Sequence, residues 1–260
     1  MTPAEAYERF LVPAIFKPWA EAVLRTHPPA RGDRVLDVAC GTGIGARVAA
    51  PAAGRSGLVL GLDLDPGMLT TACVIGASPD GAPVRWCRGN ALMLPVGDGR
   101  LDYLLCLEGI QFFPDRAAGL REMRRVLRPG GRLVATMWGA IEDNPAYHAV
   151  AEGLRVFVSP DAARLPPFAC TDRDVIEATV RAAGFTEVTV SVETLRFSAP
   201  SASAFVEWVA AGAPTIRHNL ALLPDDRRQA FDRAVADRLA SYETRDGLVL
   251  PSTRNVVHGR

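Results

Sequence analysis

Residues 35–43 read Val-Leu-Asp-Val-Ala-Cys-Gly-Thr-Gly. An apolar run passes straight into a glycine turn. Twenty residues after Gly43, Asp63 closes a second apolar run over 57–62. A strand, a glycine turn opening a helix, and an acid at the tip of the next strand is how a doubly wound α/β sheet grips a nucleoside-containing ligand. Few other folds use that order of parts.

The rest of the chain fits such a sheet. Strands are expected over 34–39, 57–62, 84–88, 101–107 and 132–138, several nearly all apolar, as strands buried on both faces are. Helices are expected between them, over 43–50, 66–76 and after Asp115, whose carboxylate suits an N-cap. The alternation argues for a mostly parallel sheet with right-handed crossovers. Thr2-Pro3-Ala4-Glu5 is a capping box opening a helix to about Phe10, and a second helix begins at Pro18. Arg128-Pro129-Gly130-Gly131 reads as a turn. Beyond 138 come helices over 144–158 and 174–183, a proline-rich loop over 160–169, an alternating strand over 187–197, helices over 203–211 and 225–242, and a last strand over 248–258. This divides the chain into an N-terminal helical cap segment (1–30), a core (31–200), a helical insertion (201–245) and a final core strand (246–260).

Composition removes several classes. Basic and acidic residues balance at 29 each, so the basic excess of a nucleic-acid binder is missing and no nucleic-acid partner is expected. No uncharged apolar stretch is long enough to span a bilayer, and no signal pattern opens the chain, which points to a cytoplasmic protein. The five cysteines form no C-x-x-C pair, so neither a disulfide framework nor a metal site is expected.

Gly41-Thr42-Gly43-Ile44-Gly45-Ala46 fits the dinucleotide fingerprint, a weak signal alone. Such glycines let backbone approach a ligand and leave helix N–H groups for a negative group, pyrophosphate or carboxylate. Asp37 discriminates. A carboxylate four residues before the first glycine repels a pyrophosphate and attracts an ammonium or sulfonium, directly or through water. S-adenosylmethionine carries both cations and a carboxylate, and Asp63 then takes its ribose hydroxyls. The other reading of Asp37 is a buried acid capping a neighbouring turn.

Three segments together resemble the class I S-adenosylmethionine-dependent methyltransferases, and within them the type 11 or UbiE-like small-molecule group. They are residues 35–43, Gly-Leu-Asp-Leu-Asp-Pro-Gly-Met-Leu (61–69) and Leu-Arg-Glu-Met-Arg-Arg-Val-Leu-Arg-Pro-Gly-Gly-Arg-Leu (120–133). The resemblance spans about residues 30–140. It implies a Rossmann-like seven-stranded sheet ending in an antiparallel hairpin, here 187–197 with 248–258, and an insertion over the substrate pocket. It implies that Gly41 and Gly43 face the methionine part, Ala39 and Cys40 contribute backbone, Asp63 holds the ribose, and Leu64 and Met68 pack the adenine. Asn90-Ala91 stands where the family more often has Asp-Ala. Leu107 offers a carbonyl near the ammonium.

On the acceptor side, Glu108 or Gln111 is placed to orient a substrate after the fourth strand. A general base is needed only if the acceptor loses a proton, and His148 and His218 are the candidates. Tyr7, Phe10, Phe16 and Trp19 either close over the cofactor, with cation–π contact to the sulfonium, or pack as an amphipathic helix. The expected activity is methyl transfer from S-adenosylmethionine to a small organic acceptor, with natural-product biosynthesis as a family analogy. The alternative is the same pocket running a non-methylating cyclisation or rearrangement. A nicotinamide oxidoreductase, disfavoured by Asp37, and a non-catalytic binding module are the remaining readings.

Overall fold

The structure is a computed structural model that describes residues 1–260, the side chain of Pro214 excepted. Strands β1 (Arg34–Val38), β2 (Leu58–Asp63), β3 (Val84–Arg88), β4 (Leu101–Leu107) and β5 (Leu127–Trp138) pair in parallel, and β6 (Thr189–Ala199) and β8 (Gly247–Gly259) complete the sheet in the order β3-β2-β1-β4-β5-β8-β6. β8 runs antiparallel to both neighbours, Thr136 facing Val256 and Val192 facing Asn255. The seven-strand path and its terminal hairpin are as the resemblance implied. An eighth strand, β7 (Glu243–Thr244), adds two residues beside the start of β8.

Helices α2 (Lys17–Thr26), α3 (Ile44–Ala53), α6 (Pro145–Phe157), α8 (Ala202–Gly212) and α10 (Asp225–Leu239) build one apolar layer, and α5 (Arg116–Val126) and α7 (Arg173–Ala182) the other. The period of a strand divides the sheet between them: Tyr103 and Leu105 of β4 face the first layer, Leu104 and Cys106 the second. α4 (Pro66–Ile75) follows β2, its first turn capped by the Asp65 carboxylate. Asp115 likewise accepts from the Ala118 N–H at 2.8 Å.

Four local expectations change. The N-terminal segment does not break at Phe10: α1 (Pro3–Ala6) runs into a π-helical stretch, Tyr7–Phe16, and then into α2. Pro13 lies within that stretch, where the widened turn accommodates a residue with no N–H to donate. α3 passes through Pro51 and ends at Gly54, because Ala46, Ala49, Ala50 and Ala53 are completely buried against the sheet and that packing outweighs one missing hydrogen bond. Residues 128–131 do not precede β5. They bulge within it, between the Leu101–Leu127 and Tyr103–Arg132 pairs. The region between β6 and β8 holds a further helix, α9 (Pro214–Ala221), too short and too polar to announce itself by periodicity.

Candidate functional site

The strand order reverses between β1 and β4, and an 880 Å³ cavity opens at the carboxyl ends of β1, β2 and β4. This is where doubly wound sheets take their ligands. The backbone leaving β1 is forced into left-handed conformations at Ala39 (φ 55°), Gly41 (56°) and Gly43 (89°). Gly41 donates its N–H to Asp63 Oδ2 at 2.7 Å, and Oδ1 of the same carboxylate accepts from Asp65 N at 2.9 Å. Asp63 thus ties the two turns together while facing the cavity, and burial holds its pKa above the ordinary carboxylate value.

Behind this rim, Trp86 lies across the glycines. A Cβ at Gly43 would sit 2.1 Å from Trp86 Cη2, and one at Gly61 2.4 Å from the same ring. Gly45 makes room for Asp37 in the same way, with 2.7 Å between its ideal Cβ and Asp37 Oδ2. Asp37 is 1% exposed and accepts from Ala46 N at 2.7 Å, in the first turn of α3. Burial is the main influence that pushes its pKa up to about 7. The buried cap is therefore the role the geometry displays. Asp37 also borders a second, 20 Å³ cavity, room for about one water, that shares Tyr7, Phe16, Ala39, Leu107 and Glu108 with the large one.

The N-terminal π-helical stretch covers the glycine turn and is clasped to it. Glu8 accepts from the Thr42 hydroxyl and from Arg47 Nη2 (2.8 Å), and Arg47 Nη1 donates to the Thr42 carbonyl at 2.7 Å. Tyr7, Leu11 and Phe16 of this stretch line the cavity.

The far wall is aromatic and apolar: Phe112, Phe113, Trp138, Tyr147, Val209 and Ile216. At its base Glu108 stands in the left-handed region (φ 52°), 8% exposed. Its Oε1 accepts from Thr136 Oγ1 at 2.9 Å and from Arg254 Nε at 2.8 Å. Arg254, on β8, is fully buried and stacks over the Trp138 ring.

The donor set indicates the ligand that suits the cradle. Asp63, Asp65 and Glu108 rim the strand ends, and Arg164, the one basic residue of the lining, is exposed and paired with Asp161. A diphosphate would meet carboxylates with no cation to balance it. A ligand bearing cations and ribose hydroxyls meets acceptors. A Cβ at Gly41 would point into this space, with Tyr7 its nearest neighbour at 3.9 Å. The residues fit S-adenosylmethionine.

The family model described as the ubiE/COQ5 methyltransferase family matches residues 8–156, more than half of the chain. The chain belongs to the ubiE/COQ5 methyltransferase family. Among its relatives, the demethylmenaquinone methyltransferase of Staphylococcus carnosus is 30% identical over 67% of this chain and 76% of its own length. The Bacillus subtilis protein of the same name is 36% identical over 45% of this chain. The match spans about half the length of that relative, 51%. A solved Haemonchus contortus phosphoethanolamine N-methyltransferase, bound to phosphomonomethylethanolamine and S-adenosylhomocysteine, superimposes with a TM-score of 0.58 at 22% identity, over 93% of this chain and 52% of that one. The shared fold is that of this family's Rossmann-like core.

The cavity gathers most of the residues named from the sequence: Ala39, Gly41, Asp63, Leu64, Met68, Asn90, Ala91, Leu107 and Glu108 all line it. Asn90 uses its Oδ1 to accept from Leu92 N at 2.9 Å, which leaves its amide nitrogen as the donor. Cys40 and Asp37 stand one layer back, on the small cavity. Others fall elsewhere. Gly43 is not part of the lining, and the space a Cβ there would take is filled by the Trp86 ring. Trp19 is 2% exposed in the core, its indole N–H directed to Ser252 Oγ at 3.4 Å, so of the two readings of the N-terminal aromatics packing holds for this ring. His148 is half-buried on α6, away from the cavity. His218 is exposed on α9, rotated off the face from which Thr215, Ile216 and Asn219 reach the cavity. Gln111 is also absent from the lining, its side-chain amide buried with no partner among the described residues. Neither histidine is placed to accept an acceptor's proton. Tyr147, Trp138 and Arg254 were invisible as site residues, since nothing local distinguishes them from core positions in a helix or strand. Among the described residues no group of three or more His, Cys, Asp or Glu side chains is arranged to hold a metal ion, and no helix is long and apolar enough to cross a membrane.

Proposed function

We propose that this protein methylates a small aromatic acceptor of the quinone type, using S-adenosylmethionine. The observation that carries the reading is one continuous 880 Å³ cavity with an acidic, cation-free cradle at one end and an aromatic wall at the other. Bound there, the cofactor supplies an electrophilic methyl on a sulfonium; transfer breaks the S–CH₃ bond, forms one to the acceptor, which gives up a proton to solvent, and leaves neutral S-adenosylhomocysteine.

The chain's own residues hold and orient. Asp63 accepts from the ribose hydroxyls, Leu64 and Met68 flank the adenine, and Asn90 donates to its edge. The Leu107 carbonyl and, across the small cavity, Asp37 stabilise the ammonium. The left-handed backbone at Gly41 lets the methionine end approach. Residues 1–30 act as a cap and 201–245 as a cover over the acceptor, because Tyr7, Val209 and Ile216 bring both to the cavity. Excluding water this way favours alignment of sulfur, methyl and acceptor, the main contribution to a displacement whose leaving group is already neutral. The quinone-type acceptor narrows the broader natural-product expectation, since both relatives are named for a quinone and the far wall is apolar. Nothing in the pocket favours a cyclisation or rearrangement.

Titration calorimetry with S-adenosylmethionine is expected to show binding that weakens at least about tenfold in Asp63→Ala, the loss of charge-assisted hydrogen bonds. Incubation with reduced demethylmenaquinone is expected to yield a product heavier by one methyl and one S-adenosylhomocysteine per turnover. Unweakened binding in Asp63→Ala would remove the ribose role, and an unchanged acceptor mass the quinone assignment.

A further inference from the structure

Among the described residues, one guanidinium is fully buried, and it lies beneath the apolar wall of the cavity. Arg254 sits in the middle of β8 with no exposure to solvent. Its Nη1 donates to Ser252 Oγ (2.9 Å) and to the Thr253 carbonyl (3.1 Å), while Nη2 has no partner among the described residues. Its carboxylate partner is Glu108, at 2.8 Å. A buried pair of this kind is a weak source of net stability, because desolvating both ions offsets their attraction. Its value lies in what it does to the carboxylate.

Both hydrogen bonds to the Glu108 side chain end on Oε1, one from Arg254 and one from Thr136. Oε2 accepts none from the described residues, and Glu108 borders both cavities. The Glu108 N–H is held by the Thr136 carbonyl at 2.9 Å, which fixes a backbone conformation that a non-glycine residue adopts at a cost. The other titratable groups facing this carboxylate are Tyr7 from the N-terminal stretch, Tyr147 from α6, Cys106 from β4 and, across the small cavity, Asp37 from β1. Burial pushes both tyrosine hydroxyls and the Cys106 thiol above their ordinary values. None of the three is a ready proton acceptor near neutrality. Glu108 is the one acceptor at the aromatic wall supported by a cation.

We propose that Arg254 is a positioning residue: it holds Glu108 by Oε1, so that Oε2 is turned to accept a hydrogen bond from a ring hydroxyl of the acceptor. The acceptor class this selects is a hydroxylated aromatic, such as a reduced quinone, over an unsubstituted ring of the same size. The inference rests on the methyl-transfer reading for the identity of the cavity, and its test is readable without turnover.

Two probes separate the hydroxyl from the ring: 1-naphthol and 1-fluoronaphthalene, titrated into the protein saturated with S-adenosylhomocysteine. Wild type is expected to prefer the naphthol by at least about tenfold. Arg254→Met is expected to abolish the preference at pH 7, while S-adenosylhomocysteine binds within about threefold of wild type. In protein carrying carboxyl-labelled glutamate, the Glu108 resonance, assigned with Glu108→Gln, is expected to shift when the naphthol binds wild type but not when the fluoronaphthalene does, and to shift with neither in Arg254→Met, because the carboxylate is no longer held by Oε1. Arg254→Lys keeps the charge without the planar fork that orients the carboxylate, so the naphthol preference falls. If Arg254→Met does not fold, the lysine variant decides. Equal affinity of wild type for the two probes, a Glu108 resonance that the naphthol leaves unmoved in wild type, or an undiminished preference in Arg254→Lys overturns the proposal. Failure of the underlying reading looks different: S-adenosylhomocysteine does not bind, and the Glu108 resonance still reports on the pair with either probe.

Discussion

The two ends of the cavity are built differently. The cradle at β1 and β2 is assembled from residues close in sequence: Asp37, Gly41, Gly45 and Asp63 lie within one strand–helix–strand unit, and their contacts are mostly backbone to carboxylate. The acceptor wall joins residues from every part of the chain, with Tyr7, Glu108, Trp138, Tyr147 and Ile216 meeting around the Glu108–Arg254 pair, which is 146 residues apart. A ligand shared by many enzymes needs a fixed local device. A ligand peculiar to one enzyme is served by side chains on separate elements, each free to change without disturbing the sheet.

That contrast is open to attack, most forcefully at the long-range end. Arg254→Met alone should destabilise the fold by about 3–5 kcal/mol in urea denaturation, because Glu108 is left buried and unpaired, whereas Glu108→Gln/Arg254→Met should recover most of it. Equal losses in the single and double variants would show that packing against Trp138, not charge, dominates at the wall.

At the cradle, Gly43→Ala should cost roughly 2–4 kcal/mol, from left-handed strain and from the 2.1 Å approach to Trp86. Adding Trp86→Ala should return none of the strain, so a double variant as stable as Trp86→Ala alone would place the whole cost in the clash.

A pH series sharpens the comparison. The Asp37 carboxyl is held near pH 7 by burial, well above its unfolded value near 4. Between those limits the folded protein keeps a proton the unfolded chain has released, so stability should fall as pH rises from about 4 to 7 and level off above. Asp37→Asn should remove that slope. Affinity for S-adenosylmethionine should rise from pH 6 to 7.5 in wild type and not in the variant, since the bound ammonium favours the ionised acid. A flat wild-type profile by calorimetry would confine Asp37 to capping α3.

The Glu8–Thr42–Arg47 clasp should matter less, about 1 kcal/mol in Glu8→Ala, with faster cofactor release in stopped flow. The smallest effect belongs to the histidines. His148→Ala and His218→Ala should each leave kcat within about twofold of wild type, as expected for side chains outside the cavity.

The residues legible in advance were those whose meaning is local. An apolar run, glycines at set spacing and an acid at the next strand tip specify a turn and its ligand chemistry, and the parallel sheet followed from the alternation of strands and helices. The illegible ones depend on distant partners. Trp19 and Met68 are both apolar residues in helices near the site, yet one is sealed in the core and the other lines the cavity. α9 carries no strong apolar period, so neither its existence nor the outward turn of His218 was readable.

The linear chain by itself determined a mostly parallel sheet of strands alternating with helices, and the acidic cradle, because short-range periodicity and turn chemistry act over a few residues. Only the tertiary structure decided which cation pairs with Glu108 at the cavity. Placing Arg254 beside Glu108 requires β8 to insert antiparallel next to β5, and no local preference at either residue encodes that pairing.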